Sequence, residues 1–209
     1  MGYTPISFMA KNLLDIHAVT LRPDHPFVWP NGMKTPLNTD SRYTISYPYV
    51  RRNISVGLTE QIKHHLDDVD VIAGLAISGI PHAAYVAERL QKSMIYVDLQ
   101  ADGSQIAGVL EKGQRVVLVV DNLATGVTAM KAIKVIQNAG GIVAGVVAVF
   151  DDELAELDKQ FKGTGIPYYT VTTLTALLEM ASQHNYIDDE QLASLQAWHK
   201  DPREWAEEH

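Results

Sequence analysis

A short segment in the middle of the chain, VVLVVDNLATGVTA at 116–129, has residue types suited to binding a phosphate. An unbroken apolar run, typical of a strand covered on both faces, stops at Asp121 and Asn122. Hydroxyl and glycine residues follow, and a helical pattern begins after them. A helix N-terminus presents unpaired N–H groups and a positive dipole end to an anion. The segment predicts a phosphate-binding loop made of Asp121, Asn122, Ala124, Thr125, Gly126, Val127 and Thr128.

An ordinary turn between strand and helix is the competing interpretation, and for a lone Thr-Gly pair it is the commoner one. A second glycine loop, GLAISGIP at 74–81, makes a binding role more favourable because it lies at the end of another apolar strand, and Ala76, Ile77, Ser78 and Gly79 form its middle. Ligands of open α/β sheets bind at the carboxyl ends of the strands. Two such loops at one edge of a sheet therefore predict two anion pockets that face each other.

The elements that must hold these loops alternate between strand and helix, which predicts an α/β fold with a mainly parallel sheet flanked by helices. Strands are predicted at 69–77, 94–97, 116–120 and 142–150, and helices at 11–19, 48–66, 81–91, 129–138, 174–183 and 188–197. Pro48 suits the first turn of the long second helix, and Asp188 or Asp189 is the expected cap of the last.

Composition narrows the class of protein. A chain of 209 residues fits one domain, and 46% hydrophobic with 20% charged residues is ordinary for a globular protein. The apolar runs are too short to cross a bilayer, so we expect no membrane association. The absence of cysteine excludes disulfides, and with no signal-peptide pattern after Met1 it favours the cytoplasm. A net charge of −8 argues against a general nucleic-acid surface.

Together with further motifs, the two loops closely resemble orotate phosphoribosyltransferases of the Gram-positive type, over nearly the whole chain. The motifs are LLDIHAV at 13–19, LRP at 21–23, NG at 31–32, DSR at 40–42, YPYVRR at 47–52, IAG at 72–74, GIPHAA at 79–84 and GVV at 145–147. The resemblance implies a single phosphoribosyltransferase domain of type I over 1–209. Its hood would come from about 1–45 and the C-terminal segment, and its core from about 46–172.

The resemblance also implies a reaction. Members of the family transfer the phosphoribosyl group of phosphoribosyl pyrophosphate (PRPP) to orotate with magnesium, and they act as homodimers in pyrimidine nucleotide metabolism. By analogy Thr125, Gly126 and Thr128 would hold the 5′-phosphate, Asp121 would lie under the ribose, and the segment 76–79 would form the pyrophosphate pocket. We expect no metal site built from protein side chains alone.

The main differences from the family lie in residues that the resemblance places near the phosphate groups of the substrate, above all the leaving pyrophosphate. The segment 98–104, DLQADGS, is several residues shorter than the family's catalytic loop and carries Asp98 and Asp102 where relatives have cations. Each close pair of like charges raises the barrier by roughly 1–4 kcal/mol. In the phosphate loop, either Gly126 keeps the glycine role and the loop is one residue short, or Val127 occupies a position that requires glycine.

Two other groups bear on function. His64 and His65 have no carboxylate arranged for zinc, so a solvated helix end is favoured over a metal site. Asp151, Asp152 and Glu153 follow a predicted strand where some relatives place an arginine that meets the substrate carboxylate. They would repel orotate unless another cation compensates, and a solvated helix N-terminus is an equal alternative for them.

Two hypotheses follow. The first is an active phosphoribosyltransferase of the orotate family, with altered base preference as one variant. The second is a non-catalytic descendant that binds a nucleotide or phosphoribosyl ligand as a sensor or partner subunit. Fold and pockets support both equally, whereas the acidic 98–104 segment favours weak orotate transfer or none. A nucleic-acid-binding regulator ranks well below both, because the chain has no basic patch.

Overall fold

The structure is a computed structural model that describes residues 4–28, 32–99 and 105–209. The helices are α1 (Pro5–Asp15), α2 (Pro48–His65), α3 (Gly79–Leu90), α4 (Val127–Asn138), α5 (Ala155–Phe161), α6 (Leu174–Gln183), α7 (Asp189–Lys200) and α8 (Pro202–Glu208). The strands are β1 (Val19–Leu21), β2 (Phe27–Val28), β3 (Lys34–Thr35), β4 (Leu37–Thr39), β5 (Val71–Leu75), β6 (Ser93–Asp98), β7 (Gln105–Ala107), β8 (Arg115–Leu123), β9 (Ile142–Asp151) and β10 (Tyr168–Thr173). A 3₁₀ helix spans Ser41–Ser46.

The main sheet has the strand order β10-β9-β8-β5-β6-β7. Neighbouring strands are parallel except for β7, which pairs antiparallel with β6 at one edge. The predicted α/β fold with a mainly parallel sheet flanked by helices is therefore confirmed. Strands β5 and β8 are neighbours, so the two loops that leave their carboxyl ends start side by side.

Two apolar cores cover the two faces of this sheet. One packs α1, α2, α3 and α6 against it, with Ile54, Leu58 and Leu177 almost fully buried. The other packs α4 and α5 against the opposite face through Ile133, Ile136 and similar residues. Burial of apolar area at about 25 cal/mol per Å² drives this packing. The sheet edge that carries both glycine loops is thus fixed from both sides.

A small antiparallel region lies outside the main sheet. Strand β1 pairs with β4, and β2 pairs with β3. The C-terminal helix α8 packs against β3, and Lys34 Nζ donates a hydrogen bond to the backbone oxygen of His209. The first and last parts of the chain are therefore in contact. Within the described residues no helix is both long and apolar enough to cross a membrane.

Several predicted boundaries need correction. The first helix ends at Asp15, because His17 adopts a positive φ of 57° and Val19 already belongs to a strand. The long helix from Pro48 and the helix at 174–183 are as predicted. Asp188 caps α7 in a reciprocal arrangement with Gln191. The sequence patterns did not predict β7, α5, β10 or α8.

Candidate functional site

The two glycine loops enclose one cavity at the carboxyl ends of β5 and β8. Its volume is about 220 Å³, and its walls are 75–78 from one loop and 120–129 from the other. All residues of the predicted phosphate loop line it, as do Ala76, Ile77 and Ser78. Gly79 is the first residue of α3, directly behind them. The sequence prediction that the loops face each other is therefore met by the geometry.

Gly126 determines the shape of the phosphate loop. It adopts a φ of 77°, a left-handed conformation that favours glycine, and helix α4 starts at the next residue. Val127 is the first helical residue and has no positive φ. Of the two registers that the sequence left open, Gly126 thus keeps the glycine role. A side chain at Gly126 would also place Cβ 2.8 Å from Leu157 Cδ1 of α5.

The phosphate loop is open to a ligand. No side chain caps the N-terminus of α4, and Thr125 and Thr128 are both exposed. Their hydroxyls and the first N–H groups of the helix can therefore donate to an anion in the cavity. The electrostatic interaction between an anion and this site is favourable, because a helix N-terminus carries a partial positive charge.

The second loop brings a second helix N-terminus to the same cavity. The backbone N–H of Ala76 donates to the oxygen of Val97 on β6, which fixes the start of the loop. A Cβ at Gly79 would lie 2.7 Å from the oxygen of Val119, so only glycine lets α3 approach β8 this closely. Ser78 occupies the N-cap position of α3, but its side chain makes no capping hydrogen bond. This loop offers backbone donors but contributes no cation of its own.

Asp121 links the phosphate loop to the 3₁₀ helix that follows β4. Ser41 Oγ donates a hydrogen bond to Asp121 Oδ2 at 2.6 Å, although the two residues are 80 positions apart in the chain. Ser41 opens the 3₁₀ helix after β4 and is 7% exposed. Sequence patterns gave no signal for this contact, because nothing local relates the two residues.

Asn122 has a different partner from the one that its position in the loop suggests. Its Nδ2 donates to Asp152 Oδ2 at 3.1 Å, and the Oδ1 atoms of Asn122 and Asp152 are buried without a partner among the described residues. Burial raises the pKa of Asp152 to about 7 and that of Asp151 to about 6. The alternative of a solvated helix N-terminus is therefore wrong for Asp151 and Asp152.

His82 is a residue near the site whose burial the sequence did not reveal. It lies in the first part of α3, is 1% exposed, and neither ring nitrogen has a partner in the described residues. Burial lowers the pKa of His82 to about 4, and the nearby charge of Asp121 only partly opposes this. His82 is thus neutral at physiological pH and offers Asp121 no counter-charge.

Only part of the predicted acidic loop belongs to the residues that the structure describes. Asp98 is the last residue of β6 and pairs with Gln105 of β7, so residues 99–104 connect the two strands. Asp102 lies outside the described residues. Strand β6 lies beside β5 and runs parallel to it. Asp98 therefore ends at the same edge of the sheet as both glycine loops.

The donor set at this edge suits a metal ion that arrives with its ligand. In the described part of the chain no three histidine or acidic residues are grouped closely enough to hold a metal. Asn122 is occupied by Asp152, which leaves the carboxylate of Asp121 as the protein ligand in the cavity. Magnesium is commonly held by one or two carboxylates plus substrate phosphates. His64 and His65 fit the expected helix end, where His64 pairs with Glu60 and His65 stacks on Tyr169.

Comparison with known proteins gives a consistent result. No family model matches the chain. The orotate phosphoribosyltransferase of Lactiplantibacillus plantarum is 44% identical over 201 residues, covering 94% of this chain and 95% of that protein. The UMP synthase of Leishmania donovani has a TM-score of 0.82 at 27% identity, covering 93% of this chain and 42% of that one. The orotate phosphoribosyltransferase of Aeropyrum pernix has a TM-score of 0.75 at 27% identity, covering 86% and 99%. By sequence and by fold, this chain belongs to the orotate phosphoribosyltransferase family.

Proposed function

We propose that this protein binds PRPP and transfers its phosphoribosyl group to orotate, more slowly than relatives with a cationic catalytic loop. The observation that carries the proposal is the pair of open helix N-termini on adjacent strands, which face one cavity. A molecule with a phosphate at one end and a pyrophosphate at the other matches two such sites. The family relationship names orotate as the acceptor.

Each part of the cavity has a role in this proposal. Thr125, Gly126 and Thr128 hold the 5′-phosphate through hydroxyls and backbone N–H groups. Asp121 faces the ribose hydroxyls, and the backbone of residues 76–79 receives the pyrophosphate. The site therefore fixes both ends of the sugar and leaves its reacting carbon between them, which is where an acceptor must approach.

The slow step in this account is loss of pyrophosphate. Bond breaking at the sugar builds up negative charge on the leaving group, and preorganised donors lower that barrier. Residues 98–104 carry two carboxylates and no lysine, arginine or histidine. Helix dipoles and backbone N–H groups at 76–79 then provide most of the stabilisation.

Magnesium fits this site as a partner of the substrate. When bound, it neutralises part of the pyrophosphate charge. Asp121 is the residue that would contact it, because its carboxylate lines the cavity while the amide of Asn122 is engaged elsewhere. The remaining ligands would come from phosphate oxygens and water.

Asp152 modifies the expected repulsion of orotate. Its burial favours the neutral acid, with a pKa of about 7, so a substantial fraction carries no charge at neutral pH. One of its carboxyl oxygens accepts from Asn122 and the other is buried without a partner in the described residues, so Asp152 acts on orotate through its reduced charge and not through direct contact. The reduced charge weakens the repulsion that the sequence predicts.

The second candidate function is a non-catalytic protein that binds a nucleotide 5′-phosphate. The acidic composition of residues 98–104 favours it, because binding at Thr125–Thr128 does not depend on that segment. The two functions differ in whether a nucleotide product is formed. Only the enzyme converts PRPP and orotate into orotidine 5′-monophosphate and pyrophosphate.

We include a homodimer and a cytoplasmic location in the proposal. An apolar groove of about 570 Å³ between α1 and α2, lined by Phe8, Tyr49 and Val56, supports a dimer because all three side chains are at least 39% exposed. The cysteine-free composition supports the location. Light scattering is expected to show a dimer at micromolar concentration, and a monomer would contradict this part of the proposal.

The transfer itself is tested by identifying its product. Purified protein is incubated with PRPP, orotate and magnesium, and orotidine 5′-monophosphate is measured by mass spectrometry over hours. The proposal predicts slow formation of this nucleotide that stops when Gly126 is replaced by valine. Binding of PRPP with no nucleotide formed would instead select the non-catalytic function.

A further inference from the structure

We propose that Ser41 is a positioning residue for phosphoribosyl transfer. Its hydroxyl holds the carboxylate of Asp121 so that one oxygen points into the ribose part of the cavity. The inference rests on the proposed function, since it assumes that PRPP occupies this cavity. It adds a hood residue to a site that the sequence places entirely in two distant loops.

The contact is short and comes from a well-fixed donor. Ser41 Oγ lies 2.6 Å from Asp121 Oδ2, a distance typical of a hydroxyl that donates to a charged carboxylate. Thr44 Oγ1 donates to the backbone oxygen of Ser41 at 2.5 Å, inside the same 3₁₀ helix. Both Ser41 and Thr44 are buried, so the hydroxyl has little freedom to turn elsewhere.

The residue before Ser41 anchors the helix to the body of the protein. The N–H of Asp40 donates to the oxygen of Ala18 at 2.7 Å, and the Asp40 carboxylate caps the helix. Hydrogen bonds from Arg42 lower the pKa of Asp40, so this cap stays ionised at neutral pH. The hydroxyl of Ser41 is thus held against the phosphate loop by a rigid turn.

Asp121 depends on this hydroxyl because its surroundings offer little else. Across residues 4–28, 32–99 and 105–209, Ser41 is the one side chain that hydrogen bonds its carboxylate. His82 is close but neutral, since burial keeps its pKa near 4. The second oxygen, Oδ1, has no hydrogen-bond partner in these ranges and is not buried. Because Asp121 lines the cavity, this oxygen is accessible to a ligand there.

A fixed carboxylate saves the cost of orienting it when the ribose binds. Preorganised groups contribute to catalysis because they do not reorganise as the reaction proceeds. Without the Ser41 hydroxyl, the Asp121 carboxylate loses this hydrogen bond and can rotate. The loss should appear in steps that involve the ribose and leave orotate binding unchanged.

The experiment compares single and double variants of the full-length protein with the wild type. Ser41→Ala removes the hydroxyl, and Ser41→Thr keeps it. Thr35→Val removes another buried hydroxyl from the same part of the chain, which within the described residues bonds to the backbone of Leu37, and this makes it the matched control. Asp121→Ala removes the acceptor, and it is also combined with Ser41→Ala. Calorimetry gives the Kd for PRPP with magnesium, and a melting curve monitors folding.

The expected result is that Ser41→Ala weakens PRPP binding by about tenfold or more, the range for a lost hydrogen bond to a charged group. Ser41→Thr should restore most of the affinity, and Thr35→Val should lower the melting temperature without changing the Kd. On the Asp121→Ala background, Ser41→Ala should have no further effect.

Equal affinities for Ser41→Ala and wild type would overturn the inference while leaving the proposed function in place. An undiminished effect on the Asp121→Ala background would also overturn it, because Ser41 would then act through some other residue. Failure of the wild type to bind PRPP at all would reject the proposed function and this inference together.

Discussion

The phosphate loop and the end of β6, where the acidic segment 98–104 begins, lie at the same edge of the sheet, but we expect them to serve different steps of the reaction. The phosphate loop has a glycine in the left-handed conformation, two exposed threonines and an uncapped helix. The segment 98–104 carries two aspartates and no cation. From this difference we expect binding and bond breaking to depend on separate parts of the fold, so that bond breaking can be weak where binding is retained.

The phosphate loop is the region where a single change should have the largest effect. Replacing Gly126 by valine forces a β-branched residue to a φ of 77° and brings Cβ to 2.8 Å from Leu157. The strain and the overpacking together should cost roughly 2–5 kcal/mol of stability. Phosphate binding should be lost, as measured by calorimetry with a nucleotide 5′-monophosphate.

Gly163 provides a matched control for this prediction. It has a φ of 79°, almost the same as Gly126, but a Cβ added there would have no neighbour within 4 Å. Gly163→Val should therefore cost only the backbone strain and leave nucleotide affinity unchanged. If both variants behaved alike, the contact between the phosphate loop and α5 would not matter for binding.

The buried acids beside the phosphate loop should produce the next largest effect. The folded-state pKa of Asp152 is about 7, well above its usual value of 3.8, so the folded protein binds more protons than the unfolded chain between these values. Stability from this residue is complete at acid pH and falls as pH rises through about 4 to 7. Asp151, with a folded-state pKa of about 6, should also stabilise the protein less as pH rises, but over the narrower range from about 4 to 6.

Asp152→Asn should remove this pH dependence, because an amide cannot ionise. Relative to wild type, the variant should gain stability as pH rises from about 4 to about 8, by at most about 4 kcal/mol at the pKa difference involved. Urea unfolding at several pH values measures the gain. An identical difference between the two proteins at every pH would show that Asp152 ionises as easily when folded as when unfolded.

The threonine pair should have a smaller effect. Replacing Thr125 and Thr128 by alanine removes two exposed hydroxyl donors but leaves the helix N-terminus intact. Affinity for a nucleotide 5′-monophosphate should fall by roughly thirtyfold, since each of the two lost hydrogen bonds is worth about 1 kcal/mol. Thr175→Ala, a single replacement at an exposed threonine on α6 outside the cavity, should not change it. Unchanged affinity in the double variant would remove these residues from the site.

Much of the fold could be predicted because local signals were strong. The apolar runs of β5, β8 and β9 and the helix that starts at Pro48 follow clear periodic patterns. Strand β10, with the sequence YYTVTT, was missed because it is polar and short, and its position depends on pairing with β9. The β-strand propensity of a segment is a weak predictor where pairing with a neighbouring strand determines whether the strand forms.

The position of the two loops at one cavity could be predicted from the sequence, but the contacts around them could not. Glycine, hydroxyl and strand-end signals are local, whereas the burial of Asp152 follows from β9 extending to Asp151 beside β10. The contact between Ser41 and Asp121 joins residues 80 positions apart. The neutral state of His82 depends on its burial where α3 packs against the sheet. Such contacts follow from tertiary packing and have no local pattern.

The most direct test of the role of the acidic segment 98–104 measures PRPP binding and orotate turnover on the same preparation of each protein. The Kd for PRPP with magnesium and the steady-state rate of orotate consumption are measured for this protein and for the relative from Lactiplantibacillus plantarum. We expect similar affinities for PRPP and a turnover at least about a hundredfold lower in this protein, the typical loss when one preorganised donor is missing. Equal turnover in the two proteins would contradict the claim that the acidic 98–104 segment limits departure of pyrophosphate.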